Sequence, residues 1–278
     1  MQTLRLASVP FVNAQPLIWG FREGPYREIT TVLDASPARI PDLLGSRQID
    51  LGLVPSIEIQ RLPGVEMLPH LCIASKRRAR SVLLASKVPF DRMRTIALDE
   101  NSRTSAALLK ILLAHKGLHD VVYAEQPPAL RQMLRDSDAA LLIGDSALTA
   151  DTGGLAVMDL GAEWFAITGL PFVFAVWAAR AGTSLPDGLR PFLESRQMGI
   201  ANIPAIAREA GARLRLAPQT IEDYLRINLH YHLGSEEARG LDLFFRQARE
   251  LDLVPSYRPA PFLDAVDRQP AGADRDRP

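Results

Sequence analysis

Residues 4–56 read LRLASVPFVNAQPLIWGFREGPYREITTVLDASPARIPDLLGSRQIDLGLVPS. Three short apolar runs in it, Leu4–Ser8, Ile29–Leu33 and Asp50–Val54, are bounded by turn-forming residues and have the length of strands. Between the first two, Pro16 opens an apolar stretch (Leu17, Ile18, Trp19, Phe21). Between the second and third, Ser36 is placed to cap and Pro37 to occupy the first helical position, ahead of Ile40, Leu43 and Leu44. Proline suits a helix start because the N–H it lacks would have no partner there. The reading is β-α-β-α-β, the pattern of a mostly parallel sheet covered by helices.

Residues 95–145 repeat that rhythm: strand Thr95–Leu98, helix Ala106–Leu113, strand Val121–Tyr123, helix Pro127–Leu134, strand Ala139–Ile143. Leu68–Ala74 and Ser81–Ser86 read as two further strands around the basic turn Lys76-Arg77-Arg78. Phe172–Trp177 is apolar enough for the centre of a sheet. Beyond it the pattern turns helical over 189–195, 203–210, 221–231 and 236–250, and the polar tail from Gln269 is expected to fray. Two modules with chain crossings near 88–95 and 170–180 predict an α/β protein of two lobes around a cleft. The first lobe is expected over 1–92 plus 175–278, the second over 93–174.

Composition narrows the function. The 278 residues carry 32 Lys+Arg against 32 Asp+Glu, so no excess of positive charge exists to hold a nucleic acid. With 47% hydrophobic and 23% charged residues, the chain has a real core and is not disordered. The single cysteine, Cys72, excludes an internal disulfide and a cysteine-rich metal site, and its apolar flanks predict burial. The opening is interrupted by Ser8, Pro10, Asn13 and Gln15, so it lacks the continuous apolar region of a secretory signal. The best apolar run, Leu170–Ala179, is half the roughly 20 residues a spanning helix needs and contains Pro171. No membrane partner and a cytoplasmic location are therefore expected.

No G-x-G-x-x-G, Walker loop, H-E-x-x-H or G-x-S-x-G occurs. His115 and His119 flank Gly117 at an expected helix end, and His230 and His232 point to different sides of a helix, so neither pair predicts a metal site. In open α/β sheets ligands bind beyond the carboxyl ends of strands. Those positions are Pro10–Asn13, Ser36, Pro55-Ser56, Asn101–Ser105 and Gly144-Asp145, mostly small and polar. Several precede helices, whose exposed N–H groups favour anions, so a small carboxylated ligand is expected.

The run Val9-Pro10-Phe11-Val12-Asn13-Ala14-Gln15-Pro16-Leu17 resembles the opening of the chorismate dehydratase family of the futalosine route to menaquinone. The likeness continues through Asp50–Glu58, Cys72–Ser75, Arg80–Leu84, Ser102–Ser105, Ile143–Asp145, Gly169–Trp177 and Tyr224–Gly234, in order along almost the whole chain. It implies a two-lobed periplasmic-binding-protein type II-like fold with an interlobe cleft, used as an enzyme. The implied reaction is a carbon–oxygen lyase step converting chorismate, a small dicarboxylate, to 3-[(1-carboxyvinyl)oxy]benzoate, with no metal and no organic cofactor.

The resemblance places Asn13 and Ser81 at the reacting centre. Ser56, Thr104, Ser105, Gly144 and Asp145 become candidates for holding substrate. Thr104 and Ser105 are expected to bind one carboxylate at a helix start, while Asp145, an acid, would face the leaving hydroxyl or cap a helix. Gln15 stands where the family often has Lys or Arg and Phe11 where it often has Tyr, which removes a cation from position 15 but does not touch Asn13. The alternatives are a non-catalytic solute-binding protein of the same fold and the related naphthoate-forming enzyme. The second relies on a histidine in the second lobe, and no histidine lies between His119 and His230.

Overall fold

Each of the two modules folds into its own five-stranded sheet in the computed structural model, which describes residues 3–185 and 187–263. In chain order the strands are β1 (Leu4–Ser8), β2 (Thr30–Asp34), β3 (Leu51–Pro55), β4 (Val65–Ser75), β5 (Val82–Ser86), β6 (Thr95–Asp99), β7 (Val122–Gln126), β8 (Ala139–Ile143), β9 (Ala156–Asp159) and β10 (Phe172–Arg180). The first sheet has the order β2-β1-β3-β10-β4 and the second β7-β6-β8-β5-β9. In each, three parallel strands are extended by antiparallel ones, β10 on β3 and β4, β5 on β8 and β9. All five residues of β3 are buried, as befits a strand covered on both faces.

Helices α1 (Gln15–Arg22), α2 (Ile40–Gly45) and α3 (Glu58–Arg61) belong to the first module. The second carries α4 (Thr104–His115), α5 (Leu130–Asp136), α6 (Gly144–Leu148) and α7 (Leu160–Thr168). The C-terminal part adds α8 (Arg190–Ala201), α9 (Ile203–Leu214), α10 (Pro218–Asp223) and α11 (Ser235–Glu250). Helices α1, α2, α8, α9 and α10 all have proline in their first two positions. Helix α2 starts at Ile40, later than Pro37, because residues 37–39 form a turn in which Arg39 N–H donates to the Ser36 carbonyl at 2.9 Å.

The lobe boundaries differ from the expected ones. Val82–Ser86 pairs with β8 and β9, so the chain leaves the first sheet between Ser75 and Val82 and not near residue 92. It returns before Phe172, which pairs with Ser75. The cause is that β4 and β5 are not a hairpin: residues 76–81 are a strap from one sheet to the other. The unit β9-α7 was not anticipated, since Ala156–Asp159 shows no clear alternation. The helix expected over 221–231 also stops early. A π-helical turn, Tyr224–Asn228, follows α10, and His230 then pairs with Ala74 through two backbone bonds of 2.9 and 3.0 Å. Pairing with β4 overrides helical propensity there. The tail from Gln269 lies outside the described residues.

Cys72 is fully buried in β4. Trp177 of β10 meets Phe192 of α8 edge-on at 5.4 Å, and Phe192 meets Phe21 of α1 at 5.0 Å. That closeness of α1 and α8 depends on small residues. A Cβ at Gly199 would lie 2.1 Å from the Pro16 carbonyl oxygen, and the Ser195 hydroxyl accepts from Gly20 N–H while donating to the Leu17 carbonyl. Among the described residues no helix is long and apolar enough to cross a membrane.

Candidate functional site

The carboxyl ends of strands from both sheets face one crevice, with about 570 Å3 of empty space counted to its open mouth. Its polar lining is Asn13, Ser81, Asn101, Arg103, Thr104 and Ser105, set against an apolar wall that includes Phe11, Leu53, Ile73 and Phe174. Arg103 is the only charged side chain on that lining among the described residues. The field inside the crevice therefore favours an anion.

Asn13 is held by the chain leaving β1. Residues Val12–Ala14 form a 3-10 turn closed by Ala14 N–H on the Phe11 carbonyl at 3.1 Å, and α1 follows at once. The turn is pinned from the other lobe, since Val12 N–H donates to Asp145 Oδ1 at 3.0 Å. Asn13 Oδ1 is buried and has no hydrogen-bond partner among the described residues. Buried polar atoms are rarely left unpaired, and each exception asks for a reason.

Ser81 sits on the strap into the second sheet. Arg80 before it has φ 60°, a left-handed conformation uncommon outside glycine. It is kept there by Asp159, whose carboxylate accepts from the N–H groups of Ala79 at 3.0 Å and Arg80 at 2.8 Å, and which also caps α7. Gly144 N–H donates to the Ser81 carbonyl at 2.8 Å. The strained residue thus turns Ser81 into the crevice. Behind Ser81 stands Tyr224, fully buried, whose hydroxyl donates to Ser81 Oγ at 2.7 Å. Burial pushes the Tyr224 phenol far above its ordinary value, so it stays protonated.

On the second lobe α4 points its N-terminus at the crevice. Thr104 and Ser105 open its first turn, where backbone N–H groups lack intrahelical acceptors, and Arg103 stands exposed at the cap position. Thr104 Oγ1 also accepts from Ile57 N–H of the first lobe at 3.2 Å. Asp99, buried just beyond, accepts from Asn101 N–H at 3.0 Å, and burial raises its carboxyl pKa.

Five of the seven expected site residues, Asn13, Ser81, Thr104, Ser105 and Gly144, meet at this crevice. Gly144 contributes space, since a Cβ there would come within 2.9 Å of the Phe11 ring, and its φ of +56° suits glycine. Ser56 and Asp145 are corrected. Ser56 is fully buried and donates to the Val173 carbonyl at 2.7 Å, so its hydroxyl is committed to the first sheet. Asp145 spends one oxygen on Val12 N–H and the other on Arg213 of α9 at 2.9 Å, which makes it a latch between lobes. A charge-assisted bond of this kind is worth about 1.5–3 kcal/mol, so Asp145→Ala is expected to lower unfolding stability by about that amount in a urea titration. Arg103, on the crevice lining, and Tyr224, behind Ser81, were not among the expected site residues. Arg103 was legible as a cation at a helix start after a strand, whereas nothing in the sequence sets Tyr224 beside Ser81.

A family model described as menaquinone biosynthesis matches residues 4–250. The chain is 33% identical over 268 residues to a protein of Thermus thermophilus named chorismate dehydratase, covering 90% of this chain and 96% of that one. It is 24% identical over 253 residues to a Campylobacter jejuni protein of the same name, covering 88% and 98%. Among solved structures it resembles the periplasmic aliphatic sulphonate binding protein of Escherichia coli, with a TM-score of 0.67 at 17% identity over 99% of this chain and 98% of that one. That likeness establishes a periplasmic-binding-protein-like fold.

Proposed function

The chain belongs to the menaquinone-biosynthesis family, and from that membership together with the crevice we propose that it is a chorismate dehydratase, a carbon–oxygen lyase acting in the cytoplasm. The observation that carries the reading is the meeting of Asn13 and Ser81, far apart in sequence, on one crevice whose only lining charge among the described residues is a cation. Chorismate suits that lining: it is a dianion with a ring one elimination short of aromatic.

The reaction removes one ring proton and the neighbouring ring hydroxyl. The C–H electron pair becomes the new ring double bond as the C–O bond breaks, and the departing hydroxyl takes up the proton removed from the ring, passed on by the enolpyruvyl carboxyl, to leave as water. Aromaticity supplies much of the driving force, so the protein's task is grip and alignment. Arg103 and the start of α4, with Thr104 and Ser105, hold one carboxylate. Asn13 orients the substrate through its amide, and Ser81 hydrogen-bonds the departing hydroxyl. A neutral amide is a poor base, so the enolpyruvyl carboxylate of the substrate takes the adjacent ring proton. No step assigned here needs Asp145, which is latched, or Ser56, which is buried.

The test is direct. Purified protein incubated with chorismate is expected to convert it to a benzoate, seen as a new aromatic absorbance and, by mass, the loss of one water. Binding without conversion would instead mark a solute-binding protein, and no change at all would exclude both readings.

A further inference from the structure

We propose that Tyr224 is a positioning residue that sets the direction of the hydrogen bonds at the reacting centre, an inference that rests on the dehydratase reading. Two observations bring it forward. Its hydroxyl is fully buried and donates to Ser81 Oγ at 2.7 Å. The residue opens a π-helical turn, Tyr224–Asn228, an uncommon geometry that recurs at functional sites.

The polarity follows from the donor and acceptor capacity of each group. Tyr224 has one proton and Ser81 has one proton. Because Tyr224 spends its proton on Ser81 Oγ, it fills a lone pair of that serine and leaves the serine proton to be given to something else. The other protein acceptor near that proton is the Ala79 carbonyl at 3.5 Å, a marginal distance. The proton is thus available to the crevice. Ser81 then presents a donor, and the bond from phenol to serine polarises the serine hydroxyl toward the leaving group.

Tyr224 has no exposed surface, so it does not touch substrate. It acts through Ser81. Burial keeps the phenol protonated.

The experiment uses Tyr224→Phe, Ser81→Ala and the double variant in the full chain, with chorismate as substrate. Tyr224→Phe keeps the ring and removes only the hydroxyl. It is expected to lower kcat about tenfold or more with KM changed less than about twofold, since a directed hydrogen bond to a reacting group acts mainly in the transition state. Ser81→Ala removes the group through which Tyr224 acts, so adding Tyr224→Phe to it is expected to change kcat little further. A merely structural tyrosine would give losses that multiply, and would shift thermal stability in step with activity. Turnover by the wild type with an unaffected Tyr224→Phe variant, or with multiplying losses, overturns the positioning role and leaves the dehydratase reading standing. A wild type that leaves chorismate unchanged overturns both.

Discussion

Asn13→Ala is expected to reduce kcat on chorismate by about 10²–10³, the effect of removing one preorganised hydrogen-bonding group, or about 2.7–4 kcal/mol. The fall should appear in turnover more than in KM. Arg103 and the first turn of α4 still hold a carboxylate when the amide is gone. The fold should tolerate the change, because Asn13 Oδ1 has no hydrogen-bond partner among the described residues and its loss strands no buried group there. Asn13→Asp tests the same point from the other side. It restores shape and adds a negative charge opposite a dianion, so it should be no better than alanine and should raise KM. Steady-state rates read from the aromatic absorbance decide the matter, and an alanine variant within about threefold of wild type would defeat the assignment.

Gly199→Ala is expected to be the most damaging of the small substitutions for stability. Its Cβ would come 2.1 Å from the Pro16 carbonyl oxygen and 2.6 Å from two further backbone atoms of Pro16. No side chain can swing aside to make room. The only relief is to separate α8 from α1, which breaks the seam around Ser195, Phe192 and Phe21. Overpacking in a tight core costs about 1–3 kcal/mol, occasionally more, and with backbone on the receiving side the upper end is expected. At about 2–4 °C per kcal/mol for a chain of this class, the melting temperature should drop by about 6–12 °C. Gly45→Ala is the control. It sits at the end of α2 with nothing within 4 Å of an added Cβ, so it should be neutral or slightly stabilising. Because α1 begins directly after the 3-10 turn carrying Asn13, Gly199→Ala should also cost activity beyond the loss of folded protein, measurable as kcat per folded molecule.

The local pattern carried most of the fold. Strand and helix periodicity, prolines at helix starts and the repeated β-α-β-α-β rhythm were enough to set out two α/β units with the site at strand ends. What escaped was decided by contacts distant in sequence. Val82–Ser86 looks the same whether it pairs with β4 or with β8, and only the second sheet makes the choice. Tyr224–Asn228 reads as plain helix until His230 is drawn into register with Ala74. The same limit governs the site. Asn13, Ser81, Thr104 and Ser105 were found because motif and strand-end position agreed. Asp145 and Ser56 occupy equally suitable positions in the sequence, yet Arg213 and the Val173 carbonyl claim their polar atoms first.

The seating of β10 between β3 and β4 fixes the order in which this protein is made. As the chain leaves the ribosome, β4 emerges with no neighbour to join, since its partner strand starts only at Phe172. The unit from β5 to α7 is continuous in sequence and can complete its own sheet while the N-terminal strands wait. Until the ribosome has passed residue 180, the nascent chain carries unpaired edges of two buried strands, β3 and β4. Long-range pairing of this kind is slow and open to aggregation. Codons that hasten passage from Ser75 to Arg180 are therefore expected to raise its soluble yield.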